Sequence, residues 1–233
     1  MSRFASALQL DVRLQARSRL YAIGIAVAIL MGVAGRFIFQ PESAGLILPI
    51  FYLLGIGGTT FMFGSSMLLL EKSQGTLEAL RVSPLTAAEY LRSKAATLTT
   101  FALAESAIVF AIVYRGGEIS PVVLVAGLVV LGLSYTYIGI GLASSFDSVT
   151  GFLFPSATVV SVILQLPFLG ALDIGPSWLW AMIPSAAPLA LMRAAFGADI
   201  SWSYAIGVSI LLVVASVLYA HARFERYVGL RGD

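Results

Sequence analysis

One carboxylate, Glu105, stands near the middle of a long apolar run, and the single histidine, His221, stands near the end of another. An ionised carboxylate at mid-bilayer costs at least about 2.5 kcal/mol, so a glutamate in that setting must face other helices, find a polar partner or keep its proton. Tyr135 and Tyr137 match it in depth and are its candidate partners. A structural hydrogen bond between helices is the alternative to a substrate contact. His221 is far in sequence from any candidate serine, and the chain has no G-x-S-x-G elbow, so hydrolytic triad chemistry is not indicated. Neither H-x-x-E-H nor a related metal spacing occurs. The G-x-x-x-x-G-K-[ST] phosphate cradle is also missing, together with any Gly-Lys dipeptide. No catalytic residue, metal or cofactor is therefore expected in this chain.

The elements that position Glu105 follow from composition. Hydrophobic residues make up 59% of the chain and charged residues 11%, with a mean hydropathy of +0.94. That balance describes an integral membrane protein, and several runs reach the roughly 20 apolar residues that carry a helix across a bilayer. The expected spans are Leu20–Phe39, Leu46–Leu70, Ala95–Tyr114, Val122–Ala143, Val149–Gly170 and Tyr204–His221. Backbone groups in lipid must pair within their own segment, and the long unalternating runs argue against a β-barrel, so the expected fold is an all-α, six-span bundle.

Lysine and arginine set the orientation. Arg3, Arg13, Arg17 and Arg19 precede the first span, Lys72, Arg81, Arg92 and Lys94 lie between the second and third, and Arg223, Arg226 and Arg231 follow the last. All three segments fall on one side, which the positive-inside rule places in the cytoplasm with both termini; only Arg36, Arg115 and Arg193 fall opposite. The basic balance thus reports topology and gives no argument for nucleic acid. Residues 1–19 read as an amphipathic elbow helix, with Gln9, Arg13 and Arg17 on one face and Phe4, Leu8 and Val12 elsewhere, although Asp11 and Gln15 interrupt the apolar arc. No cleavable signal peptide is apparent.

The stretch EKSQGTLEALRVSPLTAAEYLRSKA, from Glu71 to Ala95, gathers charges in one interruption. Gly75 permits a sharp exit from the second span, Thr76–Val82 read as a short helix, and Ser83-Pro84 ends it. Thr86-Ala-Ala-Glu89 then has the form of a capping box that starts the next helix. Such an element offers Glu71, Lys72, Glu78, Arg81, Glu89 and Arg92 to a protein partner, with Leu77 and Leu80 as apolar contacts. Its alternative is a solvated anchor that only stops translocation.

The second and fifth spans are each the middle helix of a three-span half, and both are interrupted. Pro49 and the Gly55–Thr60 run break one; Pro155 and Pro167 break the other, with Gln165 among its polar groups. Weakened backbones suit a wall that opens, although Gly and Pro are common in membrane helices generally. Residues 171–203 form a Pro- and Trp-rich outer segment whose short apolar pieces, Ser177–Ile183 and Pro188–Phe196, read as re-entrant helices before the last span.

The run E-K-x-x-G-T-L-E-A-L-x-x-S-P-L-T-x-x-E-Y-L-x-x-K from Glu71 to Lys94, with the six spans and the outer segment, resembles the ABC-2 type exporter permeases, and the layout is similar to the small permeases of that family that include fluoroquinolone exporters. The resemblance implies one transmembrane domain over residues 1–233, with a cytoplasmic coupling loop at 71–94 that docks on a separate ATP-binding subunit. Carried over residue by residue, the coupling surface is Glu71, Gly75, Thr76, Leu77, Glu78, Leu80, Pro84 and Leu85. In the resembled family the second and fifth spans line the translocation route, and with the mid-span carboxylate the candidate path residues are Thr59, Thr60, Glu105 and Gln165. It further implies a second permease copy or paralogue, an inner or plasma membrane location, ATP and Mg bound by the partner subunit alone, and export of a hydrophobic or amphipathic small molecule. An ion-coupled secondary transporter built from two three-span halves, or a non-transporting scaffold, are the alternatives. Substrate identity, and homo- or heterodimer pairing, are not legible.

Overall fold

The computed structural model describes residues 3–77 and 85–230. A helix, α1 (Arg3–Arg17), precedes the first span α2 (Leu20–Ile38), and the two meet at a corner where Arg19 takes a left-handed backbone with φ 60°. The second span has three pieces: α3 (Ala44–Phe51), a π-helical turn (Tyr52–Ile56) and α4 (Gly57–Ser73). The third and fourth are continuous, α5 (Ala87–Val113) and α6 (Pro121–Ala143). The fifth repeats the design of the second, with α7 (Val149–Thr158), a π-helical segment (Val159–Leu164) and α8 (Pro167–Ala171). Two short helices, α9 (Ser177–Ala181) and α10 (Ala186–Ala194), occupy the outer segment before α11 (Trp202–Leu230). Among the described residues, six helices are long and apolar enough to cross a membrane, and they coincide with the six expected spans.

Where limits differ, side chains explain it. The third span begins at Ala87 rather than Ala95 because the capping box is complete: Glu89 N donates to Thr86 Oγ1 at 3.2 Å and Thr86 N donates to Glu89 Oε2 at 2.9 Å. The last helix continues past His221 because Phe224 is fully buried and stacks on Tyr90, with ring centroids 5.0 Å apart. His221 lies within this helix, where Nδ1 meets Val217 O at 2.9 Å.

α6 sits at the centre, packed by α4, α5, α10 and α11. α4 and α6 approach closely through Gly64 and Gly139: a Cβ on Gly139 would lie 2.5 Å from the backbone oxygen of Phe61. Association of helices in lipid rests on such small-residue contacts, since lipid tails are as apolar as leucine. The first, fifth and last spans are the least buried and carry the exposed leucines, isoleucines and valines that lipid or another chain can cover.

Candidate functional site

Two sets of polar residues stand out, one at the end of the bundle that bears the 71–94 run and one at mid-span. At the loop end, Lys94 is fully buried on the first turns of α5. Its Nζ donates to Asp11 Oδ1 of α1 at 2.9 Å and to Glu71 Oε1 of α4 at 2.6 Å. The carboxylates are held further by neighbouring hydroxyls: Tyr90 donates to Glu71 Oε2 at 2.5 Å, and Ser93 donates to Asp11. One cation thus joins three helices, with one hydroxyl donor supporting each carboxylate. A network of this kind is tolerable in a dry setting only when every member is bonded.

The two interruptions in the apolar arc of α1 have a structural cause. Asp11 and Gln15, which seemed to interrupt its apolar arc, are its buried face together with Ala7. Gln15 is satisfied at both ends, donating to Thr97 Oγ1 and accepting from Tyr21 OH, each at 2.8 Å. Phe4, Leu10 and Val12 point outward instead.

The expected coupling surface divides in two. Glu71 and Lys72 turn inward. Lys72 Nζ donates to the carbonyls of Ala143, Ser144 and Phe146 at 3.2, 2.8 and 2.9 Å, capping the end of α6, and sits 3.7 Å from the Tyr227 ring centroid. Beyond them the chain turns at Gly75, whose φ is 67°, and Thr76 Oγ1 donates to Glu71 O. Thr76 is exposed, Leu77 is buried and Leu85 is half-buried. Glu78, Leu80 and Pro84 lie outside the described residues, as does most of the short helix expected at Thr76–Val82.

At mid-span, Glu105 is 1% exposed. Tyr135 and Tyr137 are not its partners: Tyr135 OH donates to Leu164 O at 2.8 Å. The hydroxyl that reaches Glu105 is Thr59 Oγ1, 3.3 Å from Oε2, while Oε1 has no hydrogen-bond partner among the described residues. Thr60 turns away and donates to Ile56 O within its own helix.

Gln165 performs a different task. A proline, Pro49 or Pro155, lies a few residues ahead of each π-helical segment and removes a backbone donor, loosening the ladder. Gln165 Nε2 crosses from the fifth span to donate to Leu54 O inside the π-turn of the second, at 2.8 Å. The carbonyl of Leu164, whose helical partner Phe168 N bonds Gln165 O instead, accepts from Tyr135 and from Ser185 Oγ. The two irregular segments are therefore tied to each other and to α6 through side chains. Neither Lys94 nor the Gln165 bridge was singled out from sequence as an internal contact, since each pairs residues far apart in the chain.

The profile of the Fluoroquinolones export permease protein family matches residues 2–231. Two curated relatives, the fluoroquinolones export permease proteins of Mycobacterium tuberculosis strains CDC 1551 and H37Rv, are each 30% identical over 240 residues, covering 98% of this chain and 97% of the relative.

Proposed function

Since this chain belongs to the fluoroquinolones export permease protein family, we propose that it is the membrane subunit of an ATP-driven exporter that moves an amphipathic, drug-like molecule out of the cytoplasm. It is a multi-pass membrane protein of an export permease family; the energy source and the coupling are our reading. The observation that carries it is the closure of the 71–94 loop at its base. Glu71 at the start of the loop and Lys94 at its end are bonded to each other, and Asp11 adds α1 to the same point. A force applied to the loop by a docked subunit therefore reaches α1, α4 and α5 together. α4 continues into the π-turn that Gln165 links to the fifth span. Closure of two ATP-binding subunits around a pair of these chains would shift the spans through contacts that differ between the two states. Both termini and the loop face the cytoplasm in this reading, and ATP and Mg belong to the partner.

An ion-coupled transporter is the second reading, favoured by the buried Glu105 carboxylate.

Gly75 and Glu78 test the docking. Gly75→Val strains a turn that requires positive φ, although nothing lies within 4 Å of the added Cβ, so the effect acts through aim rather than through the bundle. Glu78→Lys reverses a charge on the loop. Co-purification with the organism's own ATP-binding subunit is expected to fall at least tenfold for each variant while membrane insertion persists. Wild-type complex formation and wild-type ATPase stimulation in both variants would reduce the loop to a topological anchor.

A further inference from the structure

A groove of about 640 Å³ is lined by α1, by the last turns of α4 and by the start of α5. Its apolar walls include Leu10 and Leu14 of α1 and Met67 and Leu70 of α4. Leu10 and Leu70 remain 57% and 43% exposed. The first span starts at Leu20 and the second ends at Ser73, so the groove lies at the headgroup level of one leaflet. Three charged side chains line it as well: Asp11, Arg17 and Glu71. Asp11 and Glu71 share Lys94, so two carboxylates meet one ammonium and a negative charge is left over. Each carboxylate oxygen accepts one hydrogen bond, from Lys94, Tyr90 or Ser93, and has a second lone pair to offer. Arg17 is exposed and forms no ion pair among the described residues. Guanidinium is the side chain that grips phosphate oxygens two at a time.

We infer that this groove seats a membrane phospholipid whose head carries a primary ammonium, as in phosphatidylethanolamine. The phosphate meets Arg17, and the ammonium donates to Glu71 and Asp11, whose 12% and 6% exposure leaves them within reach from the groove. The acyl chains start along Leu10, Leu14, Met67 and Leu70 and leave into the bilayer. Such a head matches both charges at once: it supplies the cation that Lys94 alone does not provide and the anion that Arg17 lacks. Phosphatidylcholine carries the same phosphate, but its trimethylammonium has no N–H to donate. Phosphatidylglycerol brings no cation at all. A volume of this size suits a seat for the head and the first part of the chains, with apolar walls and a few placed polar groups. The inference does not depend on the export reading, since it concerns the membrane itself as ligand.

The test is native mass spectrometry of the purified, full-length permease in detergent, counting bound lipid as the dioleoyl forms of phosphatidylethanolamine, phosphatidylcholine and phosphatidylglycerol are titrated in. Wild type is expected to saturate with one phosphatidylethanolamine per chain, at least tenfold more tightly than with either of the other two. Glu71→Gln is expected to erase the preference over phosphatidylcholine while phosphatidylcholine still binds, which reports an intact groove. Arg17→Gln is expected to weaken phosphatidylethanolamine at least tenfold. Leu10→Trp fills the groove from an exposed position and is expected to abolish the saturable site. Arg17 and Leu10 lie outside the Lys94 cluster, so these two variants and the headgroup series decide the matter even if Glu71→Gln fails to fold. Equal affinity of the three lipids for wild type would mean an annular layer without a site and would overturn the proposal. So would undiminished phosphatidylethanolamine binding to Arg17→Gln or Leu10→Trp, or a preference that survives Glu71→Gln.

Discussion

Lys94→Met is expected to give a chain that enters the membrane and then fails to hold its fold in detergent. Lys94 is the shared cation between Asp11 and Glu71, its side chain has no exposure, and the two acids are 6% and 12% exposed. Methionine fills a similar volume but leaves two carboxylates facing one another without a cation. Breaking a buried pair by removing one partner costs about 3–5 kcal/mol, mostly the penalty of the charge left behind. The measurement is the half-loss temperature of the monodisperse peak on size exclusion, which should fall sharply. The companion Asp11→Asn/Glu71→Gln/Lys94→Met removes all three charges, and replacement of a whole buried ionic cluster is often near neutral. Most of the lost stability should return. The loop base, however, would no longer be clamped, and on the proposed coupling reading stimulation of an ATP-binding subunit's ATPase should remain low in a stable protein. If the triple variant couples normally, the cluster serves stability alone.

Gly139→Val is expected to have an effect of similar size by steric means. The atom nearest an added Cβ is the backbone oxygen of Phe61, with Ser65 Oγ at 2.8 Å, and on the reciprocal side a Cβ added to Gly64 would lie 3.3 Å from Thr136 O. Backbone cannot rotate away, so α4 and α6 would have to separate along the best-packed seam of the bundle. Overpacking a filled site costs about 1–3 kcal/mol, and more where main chain is the obstacle. Folded yield is the readout, with Gly207→Ala as the control: nothing lies within 4 Å of Gly207, and alanine there improves helix propensity. Equal yields for the two variants would mean that the α4–α6 seam is looser than this geometry.

Six spans, the Thr86/Glu89 capping box and the positive φ of Gly75 were legible in the sequence because each depends on residues within a few positions of one another. Apolar length gives a span, and a hydroxyl three residues before a glutamate gives a cap. What escaped the sequence is long-range. Asp11 reads as a flaw in an amphipathic helix until Lys94, 83 residues later, is placed against it. Lys72 reads as a cytoplasmic charge until the end of α6 presents three carbonyls to it. Glu105 was recognised as costly from its position, but depth alone selected the tyrosines, whereas the rotation of α4 brings Thr59. Composition along one helix gives no information on its angle about its own axis relative to a neighbour, and that angle decides every such pairing.

Transport in sealed inverted vesicles tests the central claim most directly. Vesicles carrying this permease and the ATP-binding subunit proposed for it are loaded with norfloxacin from outside, under ATP with the proton and sodium gradients collapsed, and separately under an imposed gradient without ATP. We expect accumulation only with ATP and only when both subunits are present. Accumulation driven by either gradient in vesicles lacking the ATP-binding subunit would contradict the account and establish an ion-coupled transporter in its place.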